Sequence, residues 1–217
     1  MWGSGGHGRV VAEVIQASGN EVRGYIDRDH SRIESLRGYD GLDLSITEDE
    51  FLSHLHTEES YPSGIDCCAL GIGNNEERMR CLGQLGDREI PCVVHPGASV
   101  SRSARIGRGS VVFPHAVINA GARVGEGVII NSGSIVEHDC VLADGSHLAP
   151  GAVLCGGVSV GEKTWIGAGA TVVQNTAVGR NVMLGAGATV VNDIPDGVTA
   201  VGSPARVVKS GVQSSST

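Results

Sequence analysis

Aromatic residues make up only 3 % of this 217-residue chain, so a globular core built around stacked rings is excluded. No run of about 18 apolar residues occurs, which leaves no candidate membrane-spanning helix. Residues 1–20 have neither a continuous apolar stretch nor a cleavage site, so no secretory signal is expected. Long basic runs are absent and the net charge is −8, which argues against nucleic acid as a partner. Local cations and backbone amides can still hold a nucleotide-bearing ligand. None of Cys67, Cys68, Cys81, Cys92, Cys140 and Cys155 sits in a CxxC, and their spacing matches no disulfide framework. Free thiols of this kind point to the reducing cytoplasm.

What the chain has in quantity is glycine, 33 residues, and a strict aliphatic period. From Val100 to Val190 an aliphatic residue falls at every sixth position, sixteen times in succession: Val100, Ile106, Val112, Ile118, Val124, Ile130, Val136, Leu142, Leu148, Leu154, Val160, Ile166, Val172, Val178, Leu184 and Val190. Neither a helix nor a flat strand has a period of six. A β-helix coil with three short faces does, because each hexapeptide builds one face and turns one side chain inward. The position two before each aliphatic is usually small, as at Ala104, Ser110, Cys140 and Ala188, which suits a tight corner. The position just after is often glycine (Gly107, Gly125, Gly161, Gly167, Gly179, Gly185), which predicts turn dihedrals there. Each fully buried aliphatic of this ladder contributes roughly 1.5–3 kcal/mol.

Residues 1–90 have no such period. Gly3-Ser4-Gly5-Gly6-His7-Gly8 leads into Arg9–Ala17, which has helical spacing at Val10, Val11, Val14 and Ile15. Glu21–Ile26 reads as a strand ending at Asp27, and Asp66–Ile72 as a second apolar run. Gly71-Ile72-Gly73-Asn74-Asn75 follows that run, then a helix over Glu76–Leu85. The alternation predicts a small α/β sandwich with a parallel sheet. A glycine loop of this kind normally follows a first strand of about five apolar residues. Only Met1 and Trp2 precede this one, so the first strand is expected to be missing and the small domain weakened. Pro91 and Pro96 mark a junction. The expected division is 1–90, then a β-helix over 91–209, then a disordered tail over 210–217.

Gly3-x-Gly5-x-x-Gly8, with Asp27 about twenty residues on, offers backbone N–H groups and a helix N-terminus to an anion and a carboxylate to a ribose or sugar hydroxyl. The same pattern also serves as a plain strand-to-helix turn. Asn74 and Asn75 either reach the same ligand or cap the helix that follows them. Of the solenoid histidines His115, His138 and His147, His138 follows the inward Val136 by two and so points away from the core. Glu137 and Asp139 flank it, and either carboxylate can raise its basicity and fix its tautomer.

Several segments together resemble one family: Gly5-Gly6-His7-Gly8, Gly71-Ile72-Gly73-Asn74-Asn75-Glu76, His95-Pro96, Val117-Ile118-Asn119, Ile130-Asn131, Glu137-His138-Asp139, His147-Leu148 and Gly202-Ser203-Pro204-Ala205-Arg206. They resemble the sugar O- and N-acetyltransferases of the sialic-acid and bacillosamine type. These join a small Rossmann-like domain to a left-handed parallel β-helix of hexapeptide repeats. The resemblance is nearest to the enzymes that acetylate the 4-amino group of a UDP-linked 4-amino-4,6-dideoxysugar with acetyl-CoA. It implies His138 as general base, Asp139 as the acid that orients it, and His147 beside the thioester carbonyl. It implies Ile166, Gly167, Gly185 and Arg206 along acetyl-CoA. Arg206 and Lys209, just after the last coil, either meet its phosphates or simply solvate the C-terminal cap. Gly5, Gly6, His7, Asp27, Arg28, Gly73 and Asn74 would line the nucleotide-sugar site. The family's homotrimer, with acetyl-CoA lying between neighbouring β-helices, direct attack without an acyl-enzyme, and no metal are further implications.

Three rival readings are carried. A sugar O-acetyltransferase would use the same scaffold and the same histidine. A zinc enzyme of the γ-carbonic-anhydrase type needs three convergent histidines, yet His115, His138 and His147 are offset by 23 and 9 residues, not multiples of an 18-residue coil. A non-catalytic nucleotide-sugar binder would rely on residues 1–90 alone.

Overall fold

The computed structural model describes residues 1–36, 42, 44–58 and 60–210. Residues 211–217, most of the expected disordered tail, lie outside the described residues; Ser210 ends the last strand. The repeats build a left-handed parallel β-helix of triangular section, each face a ladder of two-residue strands paired in register with the strand eighteen residues away (Ile135 with Val117 and Val153, for example). The first face has six strands, from Ser99–Val100 to Thr189–Val190. The second has five, from Arg105–Ile106 to Ala177–Val178. The third has eight: it runs from Val93–Val94 through His147–Leu148, Trp165–Ile166 and Met183–Leu184 to Val198–Val201, and closes with the antiparallel Arg206–Ser210.

From Val112 to Val190 every member of the aliphatic ladder is buried. Val100 and Ile106 are only partly covered, because among the described residues their strands end their two faces. The glycines that follow the aliphatics do not adopt turn dihedrals, contrary to the sequence expectation. A Cβ on Gly107 would sit 2.5 Å from the Gly125 carbonyl, and one on Gly167 2.5 Å from Leu184 O, so these glycines permit close stacking of coils. The left-handed backbone falls two residues later, at Gly109, Gly127 and Gly145 but also at His115, Asp139 and Lys163.

Before the β-helix come α1 (Gly6–Ala17), β1 (Ile26–Asp27), α2 (His30–Leu36), β2 (Ile46–Thr47), α3 (Glu48–Thr57) and α4 (Asn75–Gln84). A capping box between Thr47 and Glu50 starts α3. The expected loss of the first strand is corrected by the structure. Met1-Trp2 fills the central track of a parallel sheet, between Ile26 on one side and Leu70 on the other. Trp2 N–H donates to Ala69 O (2.8 Å), Gly71 N–H to Trp2 O (2.7 Å), Gly3 N–H to Ile26 O and Ile26 N–H to Met1 O (both 2.8 Å). The neighbours are equally short: β1 on one side has two residues, and the bridge on the other side is to Leu70 alone. The Trp2 ring is buried edge-on to Phe51 at 5.3 Å, and its Nε1–H donates to Glu48 at 3.0 Å.

This α/β layer sits on the third face. Val93, Val111 and Ile129, outward residues of that face, form one apolar cluster with Val11, Val14 and Ile15 of α1. α4 runs along a single corner of the prism. A Cβ on Gly109 would crowd Leu82 at 3.1 Å, and one on Gly127 or Gly145 would crowd Met79 at 3.0 or 2.5 Å. Glycine at these three equivalent corners lets the helix approach.

Candidate active site

The glycine loop and its companion interlock. A Cβ on Gly8 would lie 2.2 Å from Gly3 O, and one on Gly71 2.8 Å from Gly8 Cα, so Gly3, Gly8 and Gly71 are glycine for packing. Gly5 and Gly6 face open space instead. Their nearest neighbours are the ends of Arg32 and Arg9 at 3.5 and 4.0 Å. Gly5 is the N-cap of α1 and makes no side-chain cap, so the first-turn N–H groups point into a cleft. That cleft has a volume of about 290 Å³, and Gly5, Gly6, His7, Asp27, Arg28 and Gly73 all line it. Asn74 is not among its lining residues. Its side chain accepts from Glu77 N–H at 2.9 Å and caps α4. Asn75 donates to Lys163 O on the β-helix at 2.9 Å.

Both oxygens of Asp27 are engaged. Oδ2 accepts from Ser4 N–H (2.8 Å) and Ser4 Oγ–H (2.6 Å), and Oδ1 from Asp29 N–H (3.0 Å). Burial pushes its pKa up, but these hydrogen bonds outweigh it and hold the carboxyl below its usual range. Arg28 is half-exposed and pinned at Nε by Glu48 (2.9 Å) and at Nη1 by Glu77 (3.1 Å). His7 turns from α1 toward the β-helix, with Phe113 at 5.4 Å and His147 at 6.1 Å.

His147 is an outward residue of the third face, only 3 % exposed, packed on Trp165 at 4.2 Å. Asn131 Oδ1 accepts from Ser132 N–H, which turns its Nδ2–H toward His147 Nε2 at 3.1 Å. His147 therefore carries its proton on Nδ1, a buried atom with no well-formed hydrogen bond among the described residues, although the Gly73 backbone beside the ring partly offsets the loss of basicity. Burial, and then the nearby Arg78 cation, lower the pKa of His7 to about 4 and of His147 to about 3, so both rings are neutral. Of the expected acetyl-CoA contacts, the Ile166 side chain is buried in the prism core and offers only its backbone. Gly167 and Gly185 stack at one corner of that face, and Arg206 begins the closing strand of the same sheet, its Nη1–H donating to Ala205 O at 2.9 Å.

His138 and Asp139 are elsewhere. They occupy the corner between the first face (Ile135–Val136) and the second (Val141–Leu142), the corner opposite the third face. The His138 side chain is 63 % exposed, and its Nδ1–H donates to Asp139 Oδ2 at 2.9 Å. That bond, reinforced by the charges of Asp139 and Glu137, raises the pKa of His138. Nε2 is left as a free acceptor. Glycine at 156, one coil on, makes room for the ring, since a Cβ there would lie 2.5 Å from Nε2. Ser4 and Asn131 stand inside the motifs Gly3–Gly8 and Ile130-Asn131, where the sequence assigns them no role of their own; Trp165 is revealed by its pairing opposite His147, and Gly156 only by coil stacking.

Residues 1–85 match the family described as PglD N-terminal domain, and residues 121–156 and 157–192 match the bacterial transferase hexapeptide repeat. The structure of PerB from Caulobacter crescentus in complex with CoA and GDP-perosamine is 36 % identical, covers 95 % of this chain and 94 % of that one, and superimposes with a TM-score of 0.84. The chain belongs to the hexapeptide-repeat sugar N-acetyltransferases. The acetyltransferase domain of PglB from Neisseria gonorrhoeae, solved with acetyl coenzyme A, is 38 % identical, with coverage of 95 % and 97 % and a TM-score of 0.82. The UDP-N-acetylbacillosamine N-acetyltransferase of Bacillus subtilis (strain 168) is 37 % identical over 114 residues, 51 % of this chain and 48 % of that protein. The match thus spans about half of that curated relative's length. No described helix is long and apolar enough to cross a membrane.

Proposed function

We propose that this chain is a cytoplasmic enzyme that transfers the acetyl group of acetyl-CoA to the 4-amino group of a nucleotide-linked 4-amino-4,6-dideoxysugar, with UDP as the nucleotide. The observation that carries the reading is a cleft of glycine N–H groups and Asp27 on one side of a β-helix, with an exposed, carboxylate-bonded histidine on the opposite corner. The glycine loop takes the diphosphate at the α1 N-terminus. Asp27, its oxygens already oriented by Ser4, accepts from a sugar or ribose hydroxyl. Below the covered part of the third face, Trp165, the half-exposed Met183 and the stacked Gly167 and Gly185 form a strip suited to acetyl-CoA. Arg206 and Lys209 stand at its end for the phosphates.

His138 Nε2 takes the amine proton as the amine nitrogen bonds to the thioester carbon. The C–S bond then breaks and CoA leaves as the thiol. Asp139 holds the imidazole in the tautomer that exposes Nε2 and stabilises the imidazolium. Within one chain the cleft and His138 lie on opposite sides of the prism. A ring of three chains brings the His138 corner of one to the cleft of the next, so the active enzyme is a homotrimer. Holding amine and thioester together supplies much of the acceleration.

The experiment is thiol release from acetyl-CoA with a UDP-4-amino-sugar acceptor, with mass spectrometry of the product. Acetylation of the sugar that disappears when the amine is absent is the expected result; thiol release without it refutes N-acetylation. Mixing His138→Ala chains with chains disabled at Asp27 tests the shared site. Recovered activity in the mixture is expected, and its absence refutes the trimeric arrangement.

A further inference from the structure

Arg78, on α4, is fully buried. No carboxylate stands within 4 Å of it among the described residues. Its guanidinium instead collects carbonyls from three places. Nε donates to Gly127 O at 2.6 Å, Nη1 to Ile72 O at 3.0 Å and Gly73 O at 3.1 Å, and Nη2 to Gly145 O and Asn75 Oδ1, both at 2.8 Å. Ile72 and Gly73 line the nucleotide cleft. Gly127 and Gly145 are the same corner of successive coils, and Gly145 precedes His147 by two residues. One planar group therefore spans the cleft loop and the two coils beside it.

A contact that merely glued two layers together is better made by apolar side chains, because a buried cation carries a large desolvation cost. A guanidinium adds direction: its N–H groups form a rigid fork that fits one arrangement of acceptors. The glycines at 127 and 145 let α4 come close enough for the fork to reach them, since a Cβ at either would crowd Met79. Around it, Asn75 reaches Lys163 O at 2.9 Å and Lys163 Nζ pairs with Glu76 at 2.8 Å, so α4 is registered along the corner at a third coil. The cation also stands close enough to His7 and His147 to disfavour their protonated forms.

We propose that Arg78 is a positioning residue for acetyl transfer: its fork locks the Gly73 loop to the corners that precede His147 and so sets the gap between the nucleotide-sugar cleft and the acetyl-CoA strip. This rests on the acetyl-transfer reading above. A lysine at 78 keeps the charge but reaches one acceptor set at a time. In the full-length protein, Arg78→Lys lowers kcat about 100-fold, the scale of a roughly 1 Å misplacement. The KM for acetyl-CoA stays within about threefold, because Arg78 does not touch the Trp165–Met183 strip. Arg78→Met, which also removes the charge, is at least as slow.

Thermal melts establish that each variant is folded at the assay temperature. A loss of kcat that only tracks the unfolded fraction, an unchanged kcat, or failure of both variants to fold assigns Arg78 to stability alone and overturns the proposal. Hydrogen exchange over residues 70–76 needs no turnover and separates this proposal from the reaction it serves. Faster exchange there in Arg78→Lys, with exchange in the distal coils unchanged, supports the lock even if wild-type protein proves inactive on the amino sugar. Unchanged exchange over 70–76 refutes it whatever the activity.

Discussion

Replacing Gly156 by alanine tests His138 without altering it. The added Cβ would stand 2.5 Å from His138 Nε2 and 2.6 Å from Cε1. That is about 1 Å inside ordinary contact distance. Gly156 is not among the positive-φ residues, so alanine strains no turn there. The atoms in the way are the far end of an exposed side chain, so the ring moves and the coil does not. To clear the methyl, the imidazole gives up its 2.9 Å bond to Asp139 or shifts Nε2 by about 1 Å. An error of that size costs about 100-fold in rate, within the roughly 10²–10⁴-fold that a general base supplies. We therefore predict a kcat about 100-fold lower for Gly156→Ala, with stability changed by no more than about 0.5 kcal/mol. Thiol release gives the first quantity and a thermal melt the second. His138→Ala sets the floor. A folded Gly156→Ala enzyme at near wild-type kcat would refute the placement of the base.

Asp139→Asn removes the charge that helps raise the His138 pKa and leaves only a neutral, weaker acceptor for Nδ1–H. Since His138 accepts a proton only when neutral, wild-type activity falls as pH drops through the raised value. The variant's acid limb of kcat/KM moves to lower pH, and an unmoved limb removes Asp139 from the pair. Asn74→Ala, losing the cap bond to Glu77, costs about 1 kcal/mol of stability and leaves the KM for the nucleotide sugar unchanged; a raised KM would return Asn74 to the ligand. Leu148→Ala opens a cavity in the prism core at a fully buried position and costs about 2–5 kcal/mol in chemical denaturation, provided unfolding is two-state.

Repeat architecture was legible because its cause is local. Each hexapeptide turns one aliphatic inward, so a period of six in the chain is the three-faced coil written out. The helices α1 and α4 were legible for the same reason, to within a few residues at their ends. The two-residue central strand at Met1-Trp2 was not, because its hydrogen bonds go to Ile26, Ala69 and Gly71, far away in sequence. Nor was the role of the glycines: the chain shows Gly107, Gly156 and Gly145 alike, whereas stacking makes the first a close approach of coils, the second a berth for His138 and the third a passage for α4. The glycine loop, Asp27 and the His138–Asp139 pair could be named from sequence, since they are short motifs with local chemistry. That His138 faces away from the cleft, that His147 is covered by His7, and that Arg78 joins the two layers are long-range facts. They depend on which corner of an eighteen-residue coil a residue occupies and on which face the α/β layer covers. Local pattern decided which residues form each coil; packing between coils and layer decided which of them meet.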